Sequence, residues 1–117
     1  MAKFVTNLQQ EEVDDSGRLK RLTAPLEYQS DLIGKIVVPA GFVYDEESIA
    51  RLPILYTLFK GTAIKPSAIH DYLYETKIVD RATADAVFLE AMDATGVSWW
   101  RRKAMYAAVR SFGWRHY

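Results

Sequence analysis

The feature that most restricts the fold is a change of hydrophobic period before the middle of the chain. Up to about residue 45 the sequence reads as short extended segments separated by turn residues. Asp14-Asp15-Ser16-Gly17 is a strong turn signal between the strand candidates Lys3–Leu8 and Arg18–Leu22. Pro25 interrupts the next segment, so strand pairing there is expected at an edge or to be broken. Ile36-Val37-Val38 and Phe42-Val43-Tyr44 are β-branched and aromatic, and Pro39-Ala40-Gly41 between them predicts strand, tight turn, strand.

From about residue 49 the period becomes helical. Pro53–Lys60 reads as a short helix closed by Gly61. Pro66 suits the first turn of a helix running to about Thr76, because a missing N–H costs nothing there. Asp80 is placed to cap Arg81–Thr95, which stops at Gly96, and Ser98 can cap a last helix, Trp99–Phe112, ending at Gly113. Strands first and helices afterwards predict an α+β fold. A small antiparallel sheet from the N-terminal third (strand-rich 1–48) would pack against three to four C-terminal helices (49–117).

At 117 residues the chain fits one domain, 1–117, and its 50% hydrophobic content is enough for a core without a metal or disulfide staple. Cysteine is absent, which excludes disulfides, thiolate zinc sites and cysteine nucleophiles. The first residues lack the apolar core of about 7–15 residues that a signal peptide needs. No run reaches the ~20 apolar residues that span a bilayer. The product is therefore expected in the cytoplasm at synthesis, with no transmembrane segment.

Net charge is zero but unevenly spread. Residues 61–97 carry six acids (Asp71, Glu75, Asp80, Asp85, Glu90, Asp93) against Lys65, Lys77 and Arg81, whereas residues 98–117 carry Arg101, Arg102, Lys103, Arg110 and Arg115 with no acid. This asymmetry reads either as a partner surface or as two halves of one domain that face each other.

The chemically loaded segment is His70-Asp71-Tyr72-Leu73-Tyr74. Ser67, His70, Asp71 and Tyr74 stand at i, i+3, i+4 and i+7 on the Pro66 helix, forming one stripe. A histidine within a helix can be packed and held in one tautomer, as a general base requires, given a carboxylate to orient the ring. Asp85 on the following helix is the candidate partner, since it shares a stripe with Phe88, Leu89 and Met92 and is expected to be partly buried. The short Thr76–Asp80 connection predicts antiparallel packing that would bring His70 to Asp85. The plainer reading is a buried structural pair pinning two helices, and for an isolated motif of this kind it is favoured.

The blocks Val38-Pro39-Ala40-Gly41-Phe42, Asp45, Ser48-Ile49, Ala68-Ile69-His70-Asp71-Tyr72-Leu73-Tyr74, Arg81, Ala84-Asp85, Phe88, Ala91-Met92 and Met105-Tyr106 through Val109-Arg110-Phe112-Gly113 form an ordered set. The set resembles a family of small bacteriophage and prophage proteins catalogued as domain of unknown function 1353, over about Leu26 to Gly113. One loop departs: the family's Asp, two small residues, Ser, aliphatic and Pro become Asp45-Glu46-Glu47-Ser48-Ile49-Ala50. The resemblance implies a phage-encoded accessory protein in virion or tail assembly or host interaction. Its partners would be other phage or host proteins, in the cytoplasm of an infected bacterium or in the virion.

More distantly, His-Asp-x-x-Tyr followed by Ala-Asp-x-x-Phe is similar to the helix pair of A-two-type phospholipases. That similarity implies a hydrolase with His70 as base, Asp71 as a calcium ligand and Asp85 orienting His70, with Tyr74 on the same stripe. Calcium sites of that kind need an upstream glycine-rich loop for carbonyl ligands, and Leu58–Ala63 has one glycine, Gly61. A divalent cation would therefore have to use Asp45 or the Glu46-Glu47 pair together with Asp71. The competing reading of Asp45-Glu46-Glu47-Ser48 is an Asx-turn in which Ser48 caps a helical turn. Trp99-Trp100-Arg101-Arg102-Lys103 mixes aromatic and basic residues as nucleic-acid binders do. The neutral whole chain and the small-residue stripe Ala104, Ala107, Ala108, Ser111 argue instead for a packed surface helix. His116, next to the terminus, is expected to be inert.

Overall fold

The computed structural model describes residues 1–14, 19–45 and 64–112. Six strands precede three helices among these residues: β1 (Lys3–Phe4), β2 (Gln10–Glu12), β3 (Leu19–Leu22), β4 (Leu26–Ser30), β5 (Gly34–Val38), β6 (Val43–Asp45), α1 (Ile64–Thr76), α2 (Arg81–Ala94) and α3 (Trp99–Phe112). The fold is α+β, with strands N-terminal and helices C-terminal, as the change of period requires. The expected helix Pro53–Lys60 and the Glu46–Ala50 part of the acidic loop lie outside the described residues.

The strands form two antiparallel sheets of three, ordered β1-β4-β5 and β2-β3-β6, where the sequence suggested one. β3 pairs antiparallel with Gln10–Glu12 (Gln10↔Leu22, Glu12↔Lys20) rather than with the expected Lys3–Leu8, and the Asp15–Gly17 part of the expected turn lies outside the described residues. Lys3–Phe4 instead crosses to β4. The segment after Pro25 is neither broken nor an edge: β4 is the middle strand of its sheet, with β1 on one side and β5 on the other. Pro25 stands just before the strand, where its lost donor costs no ladder bond.

Along β4 and β5 the period of two decides what is buried. Leu26, Tyr28, Ser30, Ile36 and Val38 all face inward, and Leu26↔Val38 and Tyr28↔Ile36 stand directly opposite each other. The three residues 31–33 close this hairpin. Gly34 comes next at φ +83°, and the Ser30 hydroxyl accepts from the N–H groups of Leu32 (3.0 Å) and Ile33 (3.3 Å).

The helices begin and end where capping chemistry permits. The Asp80 carboxylate accepts from the Thr83 N–H at 2.7 Å, and Gly96 lies just past α2 in the left-handed region at φ +82°. α1 ends without a glycine: Lys77 takes φ +53°, and its N–H closes on the Leu73 carbonyl at 3.0 Å. One apolar core joins the inner faces of β4 and β5 to Ala68, Ile69, Leu73, Ala84, Val87 and Ala91 of α1 and α2. A second, formed by Phe88, Met92, Val97, Met105 and Val109, lies between α2 and α3. α2 is thus covered on both sides, which places Asp85 at the junction of all three helices.

Candidate functional site

Asp85 has no solvent exposure and His70 has 3%. An isolated buried carboxylate would be prohibitively costly, so the chain must supply donors. It supplies them from all three helices. His70 Nε2 lies 2.7 Å from Asp85 Oδ1, and the Tyr74 hydroxyl donates to the same oxygen at 2.5 Å. Arg110 of α3 donates to Oδ2 at 2.9 Å, while Arg81, one turn before Asp85, approaches Oδ2 at 3.5 Å. The Arg81 guanidinium also donates to the carbonyls of Val109 (2.9 Å) and Arg110 (3.2 Å), tying the start of α2 to the end of α3. There it meets the negative end of the α3 dipole.

Burial pushes the Asp85 carboxyl upward, but hydrogen bonds from His70, Tyr74 and Arg110, with the charges around them, outweigh it and hold the group below the ordinary carboxylate range. The Tyr74 phenol moves the other way, raised by burial and by its bond to the Asp85 carboxylate. With Asp85 ionised, His70 Nε2 carries the proton that it donates to Oδ1. The imidazole is packed between aromatic rings, its centroid 4.1 Å from that of Tyr74 and 4.6 Å from that of Phe88. Ser67, one turn earlier on the same stripe, is fully buried and its hydroxyl has no hydrogen-bond partner among the described residues.

The structure therefore brings together three of the four expected catalytic candidates, His70, Tyr74 and Asp85. Asp71, the fourth, stands about 100° further round the helix from His70 and is half-buried. Asp45, proposed with Asp71 as a metal ligand, is the last residue of β6 and pairs with Leu19 through the backbone. Among the described residues no group of three or more histidine or acidic side chains converges to hold a metal. Trp99 and Trp100 are exposed. Arg102 beside them is committed to Asp93 at 3.0 Å and to the Val97 carbonyl at 2.8 Å.

The sequence alone assigned no role to Arg81, Arg110 or Phe88, yet they complete the cluster. Two signals pointed to the arginines. Arg81 and Asp85 are at i, i+4, and the acid-rich 61–97 stretch precedes the acid-free 98–117 stretch. The Arg110–Asp85 and Arg102–Asp93 pairs show α2 and α3 of these stretches facing each other.

A second, partly buried clasp lies at the sheet. The Glu90 carboxylate accepts from the Tyr28 hydroxyl (2.6 Å), the Ser30 hydroxyl (2.7 Å) and the Asp31 N–H (3.1 Å), fastening α2 to the β4–β5 hairpin. Burial, together with the Glu90 bond, raises the Tyr28 phenol far above its ordinary range.

The family described as "Protein of unknown function (DUF1353)" matches the chain over residues 20–109, a span that contains every member of the His70–Asp85 cluster except Arg110. Among curated proteins, the chain is similar to the uncharacterized protein y4jT of Sinorhizobium fredii, at 40% identity over 78 residues. That match covers 65% of this chain but 23% of the relative, so the chain spans about a quarter of the length of the protein it resembles. No solved structure gives a significant match. No helix among the described residues is long and apolar enough to cross a membrane.

Proposed function

The chain belongs to the DUF1353 family, and from that premise we propose that it is a small phage-encoded accessory protein that works by binding rather than by catalysis. It acts in virion or tail assembly or at a host-interaction step, with other phage proteins or host proteins as partners. The bacterial cytoplasm, and the particle itself, are where it would be found. The observation that carries the non-catalytic part is the saturation of Asp85. Both of its oxygens are engaged by His70, Tyr74 and Arg110, with Arg81 close by, and the His70 ring is 3% exposed between Tyr74 and Phe88. A general base needs a route to its substrate, whereas a clasp needs burial and complete pairing. The phage context is supported by the ordered blocks that resemble phage and prophage sequences.

Two measurements test this reading. Mass spectrometry of purified particles should find the protein, or co-purification should find it bound to a phage or host protein. Phage carrying a folded His70→Asn protein should grow normally; a growth defect with a fully folded variant would refute the non-catalytic role.

One observation favours a second reading, a hydrolase. The imidazole meets the Asp85 carboxylate through Nε2, with Tyr74 on the same oxygen, and a histidine oriented by the distant aspartate is the arrangement that the phospholipase-like helix pair implies. Fatty-acid release from phospholipid vesicles by the wild type and not by His70→Asn would establish it in place of the first.

A further inference from the structure

The first turn of α3 is unlike the rest of the surface. Trp99 is 66% exposed and Trp100 53%, although tryptophan is the side chain with most to gain from burial. The opposite face of α3 is spent on the core through Met105 and Val109, so packing does not hold the two indoles outward. Lys103 lies one turn on from both and is exposed, while further along the outward face Ala107 and Ser111 are small. Aromatic and basic groups are thus concentrated at one end of the helix.

The charge is one-sided. Arg101 stands over the Trp100 ring at 5.3 Å, Lys103 has open access to solvent, and residues 98–117 contain no acid. The neighbouring carboxylate, Asp93, is neutralised by Arg102 at 3.0 Å. A patch of paired indoles with cations that have no counter-ion among the described residues fits a surface that is anionic outside and apolar a few ångströms beneath. An indole sits well at that boundary, with its ring toward the acyl chains and its N–H toward the headgroups. A lysine and an arginine beside it add about 1 kcal/mol each near an anionic membrane, which corresponds to roughly fivefold per charge. Stacking on nucleic-acid bases fits less well, because one face of Trp100 is already covered by Arg101 and no basic stripe extends from the patch, among the described residues, to track a phosphate backbone.

We propose that Trp99, Trp100, Arg101 and Lys103 form a docking patch that seats this protein on the surface of an anionic lipid bilayer. The proposal is independent of whether the His70 cluster is catalytic, since the patch lies outside it. The test is co-sedimentation of the full chain with vesicles. Vesicles containing about one-third phosphatidylglycerol should bind the protein, neutral phosphatidylcholine vesicles should not, and raising salt to about 0.5 M should release it. The Trp99→Ala/Trp100→Ala double variant, whose circular dichroism should match the wild type, should lose at least about tenfold in affinity. Lys103→Glu should weaken binding at low salt. Failure to bind anionic vesicles would overturn the proposal, as would equal binding by the double variant. Tryptophan-dependent binding to a single-stranded oligonucleotide without vesicle binding would assign the patch to nucleic acid instead.

Discussion

Replacing Asp85 by asparagine preserves side-chain shape and removes one charge, so it isolates the electrostatic part of the three-helix junction. Asp85 accepts at both oxygens, from His70 and Tyr74 on Oδ1 and from Arg110 on Oδ2. An amide has one acceptor atom. If its NH2 takes the Oδ2 position it faces Arg110 and Arg81, and two partly buried guanidinium groups lose their counter-ion. If it takes the Oδ1 position it confronts the His70 and Tyr74 donors. Either way a buried pair is broken from one side, which costs about 3–5 kcal/mol. Total stability for a domain of this kind is roughly 5–15 kcal/mol. At roughly 4 °C per kcal/mol for a chain of this length, the melting temperature should fall by about 12–20 °C. Urea unfolding tracked by circular dichroism should show a lower midpoint with an unchanged slope. Asp93→Asn is the matched control: its side chain is 72% exposed in its pair with Arg102, and it should cost less than about 1 kcal/mol. A loss below about 1 kcal/mol for Asp85→Asn, or a gain, would refute the clasp.

The same geometry sets other outcomes. Asp85 has a lowered carboxyl pKa in the fold, so its contribution is present above the unfolded value near 4 and is lost as pH falls through the folded value. Acid unfolding of Asp85→Asn should therefore be shallower than that of the wild type. Tyr28 and Tyr74 are both raised, so ultraviolet titration should leave these two of the seven tyrosines protonated above pH ~10 until the fold opens. Stability should decline from that pH upward, because only the unfolded chain releases those protons. Ser67→Ala removes a buried hydroxyl that has no partner among the described residues and should raise stability by about 1 kcal/mol in urea unfolding; a loss of that size would mean the hydroxyl is satisfied in solution. Glu90→Gln should cost about 2 kcal/mol by weakening three bonds to the β4–β5 hairpin, and Tyr28→Phe should cost less, since it removes one.

The helices and the pairing between them were readable because local chemistry specifies them. Asp80 caps α2 as its position before Arg81 suggests, Gly96 ends it, and two stripes on adjacent helices placed His70 against Asp85. The strands were less readable because their pairing is long-range. β1 is two residues long and finds its partner some 25 residues away at Tyr28 and Gln29, a contact that no local turn announces. β4 hid behind Pro25 and behind Glu27 and Gln29, poor strand formers, although Leu26, Tyr28 and Ser30 alternate inward as a half-buried strand demands. Arg110 was legible only as surplus charge. It took the packing of α3 on α2 to turn that surplus into a specific bond with Asp85, 25 residues away. The same packing buries His70 and Asp85 together at the three-helix junction.

The most direct test of that junction is the unfolding free energy of His70→Asn. Asparagine is too short to reach Asp85 from this position, so the variant should lose about 2 kcal/mol relative to the wild type, from an Asp85 oxygen that has lost one of its donors. A variant as stable as the wild type, or more stable, would contradict it, since that is how a chain behaves when a residue held for chemistry rather than for stability is removed.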